Sequence, residues 1–183
     1  MSQMIIIDRD GVINQDSEDY IKSADEWIPI PGSLEAICRL KKAGYLVTIA
    51  SNQSGLARGL YNEETLQQIH DKMDRMLAAR GASIDGIFYC PHSPRANCVC
   101  RKPKPGLLIQ IARQFDIDLS VTSFVGDSIS DIQAAQMVNA LPILVRTGNG
   151  EYVMQNYPEA IDVPVFDNLA HFVRDTLRKN ASE

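Results

Sequence analysis

Apolar residues along this 183-residue chain alternate between short unbroken runs and stripes at helical spacing. The first run, Met4 to Ile7, is mostly β-branched and carries no polar residue, which predicts a short strand buried on both faces. Leu34, Ile37, Cys38 and Leu40 then recur at helical spacing after Pro31-Gly32-Ser33, and Gly44 closes that helix behind Lys41 and Lys42. Tyr45 to Ala50, Ile84 to Tyr89, Thr122 to Val125 and Leu141 to Val145 read as four further strands. Between them the spacing predicts helices. One is capped by Asn62 and runs to about Arg80, with Leu66, Ile69, Met73, Met76 and Leu77 on one side. Another opens at Gly106 and carries Leu107, Leu108, Ile111, Ala112 and Phe115; a third starts near Ser130 and carries Ile132, Ala135 and Val138. A closing helix is capped by Asn168 and followed by a frayed tail from Lys179 to Glu183. Ile161 to Phe166 is a candidate edge strand, limited by Pro164. Asn14 to Ile30 is polar, acidic and irregular, as a long loop over the mouth of a site would be. Strands alternating with helices predict an α/β fold with a doubly wound parallel sheet, in one domain spanning 1–183. From Asp10 to Ser33 there is no room for a separate lid domain.

Composition narrows the function. With 45% hydrophobic and 22% charged residues the chain fits one domain with a sizeable core. Its net charge of −5 argues against an extended nucleic-acid surface, because such binding neutralises phosphates with Lys and Arg. No apolar stretch approaches the roughly 20 residues needed to span a bilayer, and the start of the chain lacks a basic segment of the signal-peptide kind. The expectation is a soluble, cytoplasmic monomer acting on a small molecule, with no membrane or nucleic-acid partner.

Chemistry collects where the runs end. In an extended segment Asp8 and Asp10 point to one side while Arg9 turns away, and the crevice beyond the strand ends of a parallel sheet is where ligands bind. Two carboxylates there suit a nucleophile, an acid/base and a cation site; alone, the tetrad is equally an ordinary polar turn. Ser51-Asn52-Gln53-Ser54-Gly55 offers a hydroxyl, amides and backbone N–H groups as a phosphate cradle, or a plain Asn/Ser turn. Gly126-Asp127 ends the fourth strand and repeats the arrangement at Asp8, adding a carboxylate for a divalent cation; Asp131 is either a supporting acid or a first-turn acid of the next helix. Cys90 and His92, then Cys98 and Cys100, are two close pairs separated by Ser93 to Asn97, the complement of a closed, structural Zn²⁺ site. Arg101 and Lys102 follow the last ligand directly, so a metal holding Cys100 would fix two cations where phosphate oxygens could bind. Cys38 and His70 read as structural.

The ordered set D-R-D-G-V at Asp8 to Val12, S-N-Q-S-G at Ser51 to Gly55, R-K-P at Arg101 to Pro103 and G-D at Gly126-Asp127 resembles the four motifs of the haloacid dehalogenase superfamily of phosphatases. With the C-x-H and C-x-C pairs it is similar to the zinc-loop branch of that superfamily, and the match runs from about Met4 to Gly148. The resemblance implies a capless phosphatase. Asp8 would be the nucleophile and Asp10 the general acid/base, and Ser51 and Lys102 would hold the transferring phosphoryl group. Mg²⁺ would lie on Asp8, Asp127 and the backbone carbonyl of Asp10. Asn52, Gln53, Ser54 and Arg101 would orient substrate, with Asp16 to Tyr20 touching its sugar. The implied substrate is a heptose 1,7-bisphosphate losing its 7-phosphate, on the way to nucleotide-activated heptose; histidinol phosphate is the alternative. The short Ser93 to Asn97 spacer resembles the histidinol-phosphate type, and Ser128 stands where the heptose type often has Lys. A phosphoaspartate signalling domain, which transfers once and stops, is the rival from another class.

Overall fold

A computed structural model gives the structure of residues 3–157 and 162–181. Six strands, β1 (Met4–Ile7), β2 (Leu46–Asn52), β3 (Gly86–Cys90), β4 (Ser123–Gly126), β5 (Leu141–Val145) and β6 (Val165–Phe166), form one sheet in the order β3-β2-β1-β4-β5-β6. Every pairing is parallel. β1 therefore lies at the centre, where the strand order reverses, and its carboxyl end opens into the crevice where α/β sheets bind ligands. The doubly wound expectation holds.

The alternation within β1 decides which layer each helix joins. Ile5 and Ile7 face a core with α1 (Ser33–Lys42), α2 (Glu63–Ala78) and α6 (Leu169–Asn180). Met4 and Ile6 face the other side, against α3 (Gly106–Phe115) and α4 (Ile129–Gln136). Side-chain caps set two of the helix starts: Asn62 Oδ1 accepts from the Thr65 N–H at 2.9 Å and Asn168 Oδ1 from the His171 N–H at 2.9 Å.

The structure differs from the sequence reading in several places. β2 runs two residues further, so Ser51 and Asn52 stand on the strand itself, and β3 likewise includes Cys90. A helix α5 (Gly150–Asn156), which the hydrophobic pattern does not announce, follows β5; it is too short to show a helical stripe, and Val153 is its one large buried side chain. The edge strand shrinks to Val165–Phe166, with the Pro164 carbonyl accepting from Leu144 N–H; Ile161 lies outside the described residues. Lys179 and Asn180 are not a frayed tail. They complete α6, where the Asn180 amide bonds the Tyr45 hydroxyl, while Ser182 and Glu183 lie outside the described residues. The 14–30 loop is well tied down: Trp27 is fully buried in the core, and the Lys72 ammonium donates to the carbonyls of Ala24 at 2.6 Å and Trp27 at 2.8 Å. Among the described residues no helix is long and apolar enough to cross a membrane.

Because Trp27 anchors an otherwise irregular loop by packing alone, Trp27→Ala should destabilise the fold by about 3–5 kcal/mol. Urea unfolding followed by circular dichroism measures this, and a loss below about 1 kcal/mol would show that the loop carries itself.

Candidate active site

Beyond the carboxyl ends of β1, β2 and β4 lies a cavity of about 300 Å³, lined by Asp8, Asp10, Asp16, Tyr20, Ser51 to Ser54, Arg101, Lys102 and Asp127, together with Ser128 and Asn149. All the catalytic, substrate and magnesium residues expected from sequence meet around it.

Lys102 is the hub. It is 3% exposed, and its ammonium contacts Asp131 Oδ1 at 2.6 Å and Asp8 Oδ2 at 3.0 Å and donates to the Ala50 carbonyl at 2.9 Å. Burial works against its charge, yet the Asp131 and Asp8 carboxylates hold it protonated well above the usual range. Asp8 shows the opposite balance: burial pushes its carboxyl up to about 7, with the Lys102 charge opposing. The other Asp8 oxygen accepts from the Arg9 backbone N–H at 2.7 Å. Asp127 is raised well above an ordinary carboxylate, first by burial and then by Asp131 and Asp8. Ligand oxygens of Asp8, Asp127 and Asp131 lie within 4.8 Å of one another. Carboxylates so crowded, with a single ammonium among them, fit a divalent cation.

The backbone makes room for this cluster. At Gly11 (φ +80°) a Cβ would sit 2.1 Å from Asp127 Oδ2, and at Gly148 (φ +57°) another would sit equally close. The Asn149 backbone N–H donates to the same oxygen at 2.7 Å. Asp131 is fixed by a capping box with Ser128, whose backbone N–H donates to Asp131 Oδ2 at 3.1 Å and whose hydroxyl accepts from the Asp131 N–H at 3.3 Å. The two roles open for Asp131 are thus filled together: it caps α4 and steadies Lys102.

Arg9 does not turn away from the acids. Its guanidinium folds back on Asp10, Nε donating to Oδ1 at 3.0 Å and Nη2 to Oδ2 at 2.9 Å. Asn14 and Gln53 add amide donors at 2.9 and 2.8 Å. Burial raises the Asp10 carboxyl, but the Arg9 charge and these amides outweigh it and hold it below the ordinary range. Gln53 also donates to Ser51 Oγ at 2.8 Å and accepts from the Tyr61 hydroxyl at 2.7 Å, so its side chain is committed to neighbours in this structure. Asn52 exchanges two 3.1 Å bonds with the Lys102 backbone, tying β2 to the basic loop. Asp16, raised by burial, accepts from the Asn149 amide at 3.2 Å, and Arg58 lies 5.6 Å from the centre of the Tyr20 ring. Arg101 lines the cavity and donates to the His92 carbonyl at 3.4 Å, and Ser54 lines it beside Gln53.

A second donor cluster forms at the β3 edge. Cys90 Sγ lies 3.6 Å from Cys98 Sγ, 3.2 Å from Cys100 Sγ and 3.5 Å from His92 Nδ1, which is 3.3 Å from Cys100 Sγ. Tetrahedral zinc with arms of about 2.0–2.3 Å requires donor separations of roughly 3.3–3.8 Å, so the four residues fit that ion, with Nδ1 as the histidine's donor.

A family model described as HAD-hydrolase-like matches residues 99–172. The D-glycero-beta-D-manno-heptose-1,7-bisphosphate 7-phosphatase of Bordetella bronchiseptica is 56% identical over 148 residues, covering 81% of this chain and 83% of that protein. The Pseudomonas aeruginosa protein of the same name is 51% identical over 168 residues, covering 91% and 93%. The chain belongs to the heptose-1,7-bisphosphate 7-phosphatase family. The crystal structure of the B. bronchiseptica D,D-heptose 1,7-bisphosphate phosphatase, complexed with magnesium and phosphate, superposes with a TM-score of 0.94 at 49% identity, covering 97% of this chain and 99% of that one.

Sequence reasoning missed the family member's Arg9, Tyr61 and Asn149. Tyr61 and Asn149 sit in turns whose patterns carry no periodic signal, and strand alternation pointed Arg9 the wrong way.

In metal-free protein, the raised Asp127 carboxyl binds a proton that the unfolded chain has lost above its ordinary value near 3.8. Its contribution to stability is therefore complete below that pH and declines as pH rises. Asp127→Asn should melt together with the parent chain near pH 4 and above it at pH 7.5, the gain widening with pH. A constant difference across that range would contradict the crowding argument. At the second cluster, Cys98→Ser should lower the zinc that co-purifies, measured by inductively coupled plasma mass spectrometry, from about one ion per chain to a small fraction. Retention of the full complement would remove Cys98 from the ligand set.

Proposed function

We propose that this chain is a Mg²⁺-dependent phosphatase that removes the 7-phosphate of D-glycero-β-D-manno-heptose 1,7-bisphosphate, serving the making of nucleotide-activated heptose. The observation that carries the proposal is the near-complete superposition on the Bordetella phosphatase, bound to magnesium and phosphate in its own structure. The β anomer follows the names of the relatives. Their agreement over most of this chain favours the heptose substrate over histidinol phosphate, despite the short spacer in the zinc loop.

In this mechanism an Asp8 carboxylate oxygen attacks phosphorus, the bond from phosphorus to the C7 oxygen breaks, and an aspartyl phosphate forms. Asp10, in its protonated form, gives that proton to the departing alkoxide and then takes one from the water that attacks the aspartyl phosphate, which releases inorganic phosphate, restores Asp8 and leaves Asp10 protonated again. Lys102 and Ser51 hold the transferring oxygens; Lys102 is already charged and fixed, so little reorganisation accompanies the reaction. Asp8, Asp127 and the backbone carbonyl of Asp10 would hold Mg²⁺, which supplies positive charge that keeps both carboxylates ionised beside an anionic substrate. Ser54, Asn52, Arg101 and the Asp16 to Tyr20 loop shape the sugar end. Cys90, His92, Cys98 and Cys100 would hold a zinc ion that pins the loop carrying Arg101 and Lys102. One domain and one chain supply the whole site, which supports action as a monomer, and the free thiols of the zinc loop suit a reducing, cytoplasmic setting.

Phosphate release with Mg²⁺ should be fastest on the β-heptose bisphosphate, slower on the α anomer and far slower on histidinol phosphate, and Asp8→Asn should reduce it to background. Preference for histidinol phosphate would reassign the substrate. A single burst without turnover would favour a signalling domain.

A further inference from the structure

We propose that Arg9 is a positioning residue for the general acid/base, its guanidinium fork fixing the direction in which the Asp10 carboxyl faces the cavity. The inference rests on the phosphatase reading above and adds a part to it. Arg9 is 1% exposed, and a guanidinium so deeply buried must find partners for its N–H groups. It finds Asp10 through both Nε and Nη2, the Gln53 Oε1 at 3.1 Å and the His70 Nε2 at 3.3 Å. His70 is pushed down to about 4 by burial and the neighbouring Arg9 charge, so its ring is neutral and can accept from Arg9. Gln53 is held in turn by Tyr61 at 2.7 Å. The fork is thus braced by His70 on α2 and by Gln53, the residue that follows β2.

Asp10 accepts four bonds: two from Arg9, one from Asn14 and one from Gln53. Those fill the roughly four lone-pair sites of a carboxylate, so taking up a proton requires one donor to let go. The amide bonds of Asn14 and Gln53 are not cation-assisted, whereas the fork is both bidentate and charge-assisted, so an amide yields first. The carboxyl then keeps its plane and its facing while one oxygen is freed toward the cavity. Lys at position 9 would keep the charge but present a point donor without the fork.

The test separates positioning from general damage. An alkoxide leaving group needs a proton from Asp10; p-nitrophenolate leaves without one. Because kcat/KM reports only the steps up to leaving-group departure and so leaves out the water attack that both substrates share, Arg9→Met and Arg9→Lys should each lower kcat/KM on the heptose bisphosphate about 10²-fold and on p-nitrophenyl phosphate less than about threefold. In an Asp10→Asn background, Arg9→Met should add no further loss on the heptose bisphosphate, since the group it orients is gone. That pair also avoids leaving one buried charge without its partner. Equal losses on both substrates, an undiminished loss in the Asp10→Asn background, or full rescue by Arg9→Lys would overturn the proposal. Failure of the parent enzyme to release phosphate from the heptose bisphosphate would instead overturn the phosphatase reading, so the two are told apart.

Discussion

The ion pairs of Lys102 with Asp8 and Asp131 hold the site together. Three buried carboxylates lie within reach of one another, and one ammonium answers them. Such burial is costly without compensation, because each charge loses its hydration. The protein meets that cost with geometry rather than with number: one cation bridges two acids, Asp131 is locked by the α4 cap, and Asp127 takes a backbone N–H from Asn149. What remains uncompensated is the raised pair Asp8 and Asp127, the place where an added cation gains most. The same electrostatic deficit that weakens the metal-free fold makes the site a receptor for a divalent ion.

Parallel topology brings these groups together. Their positions in the chain run from Asp8 to Asn149, but each lies at or just beyond the carboxyl end of a strand, and the order β2-β1-β4-β5 sets those ends side by side. Lys102 is the exception, since its loop leaves the edge strand β3 and must cross β2 to reach Asp8. Two devices make the crossing rigid. The paired Asn52 bonds tie the Lys102 backbone to the end of β2, and the sulfur and imidazole donors anchor the loop at its β3 root. A zinc held by those donors would bear on the site only through the position of Lys102.

Much of this was legible in the sequence. Unbroken β-branched runs gave the buried strands, helical stripes gave five of the helices, and acids at strand ends marked the crevice because the change from apolar to charged is abrupt there. The cysteine and histidine pairs were readable for a different reason: ligand chemistry demands residue types at short spacing, so the pattern is local. What stayed hidden was orientation. Alternation sends Arg9 away from Asp10, but β1 ends at Ile7 and a guanidinium on three methylenes is long enough to return to its neighbour. Asn52 and Gln53 look like phosphate donors by type, yet their amides are bound to the Lys102 backbone, Ser51 and Asp10. α5 escaped because two turns of helix offer too few positions for a stripe to emerge.

The absence of a separate lid bears on which half of the chemistry the site favours. An aspartyl phosphate can be passed to water or to another acceptor hydroxyl, and a site that serves the second outcome must keep water out. Here the cavity wall over Asp8 is made of loops held from beneath, by Trp27 in the core and by the Asp16 contact with Asn149, rather than of a body that opens and closes. Such a wall presents Asp16 and Tyr20 to the cavity without a moving body behind them. The Arg9 fork complements such a wall, because Asp10, whose side chain is 21% exposed, is held from the buried side by a guanidinium that is itself 1% exposed. In the proposed mechanism the same four bonds would aim Asp10 in both half-reactions, first toward the leaving oxygen and then toward the water that replaces it.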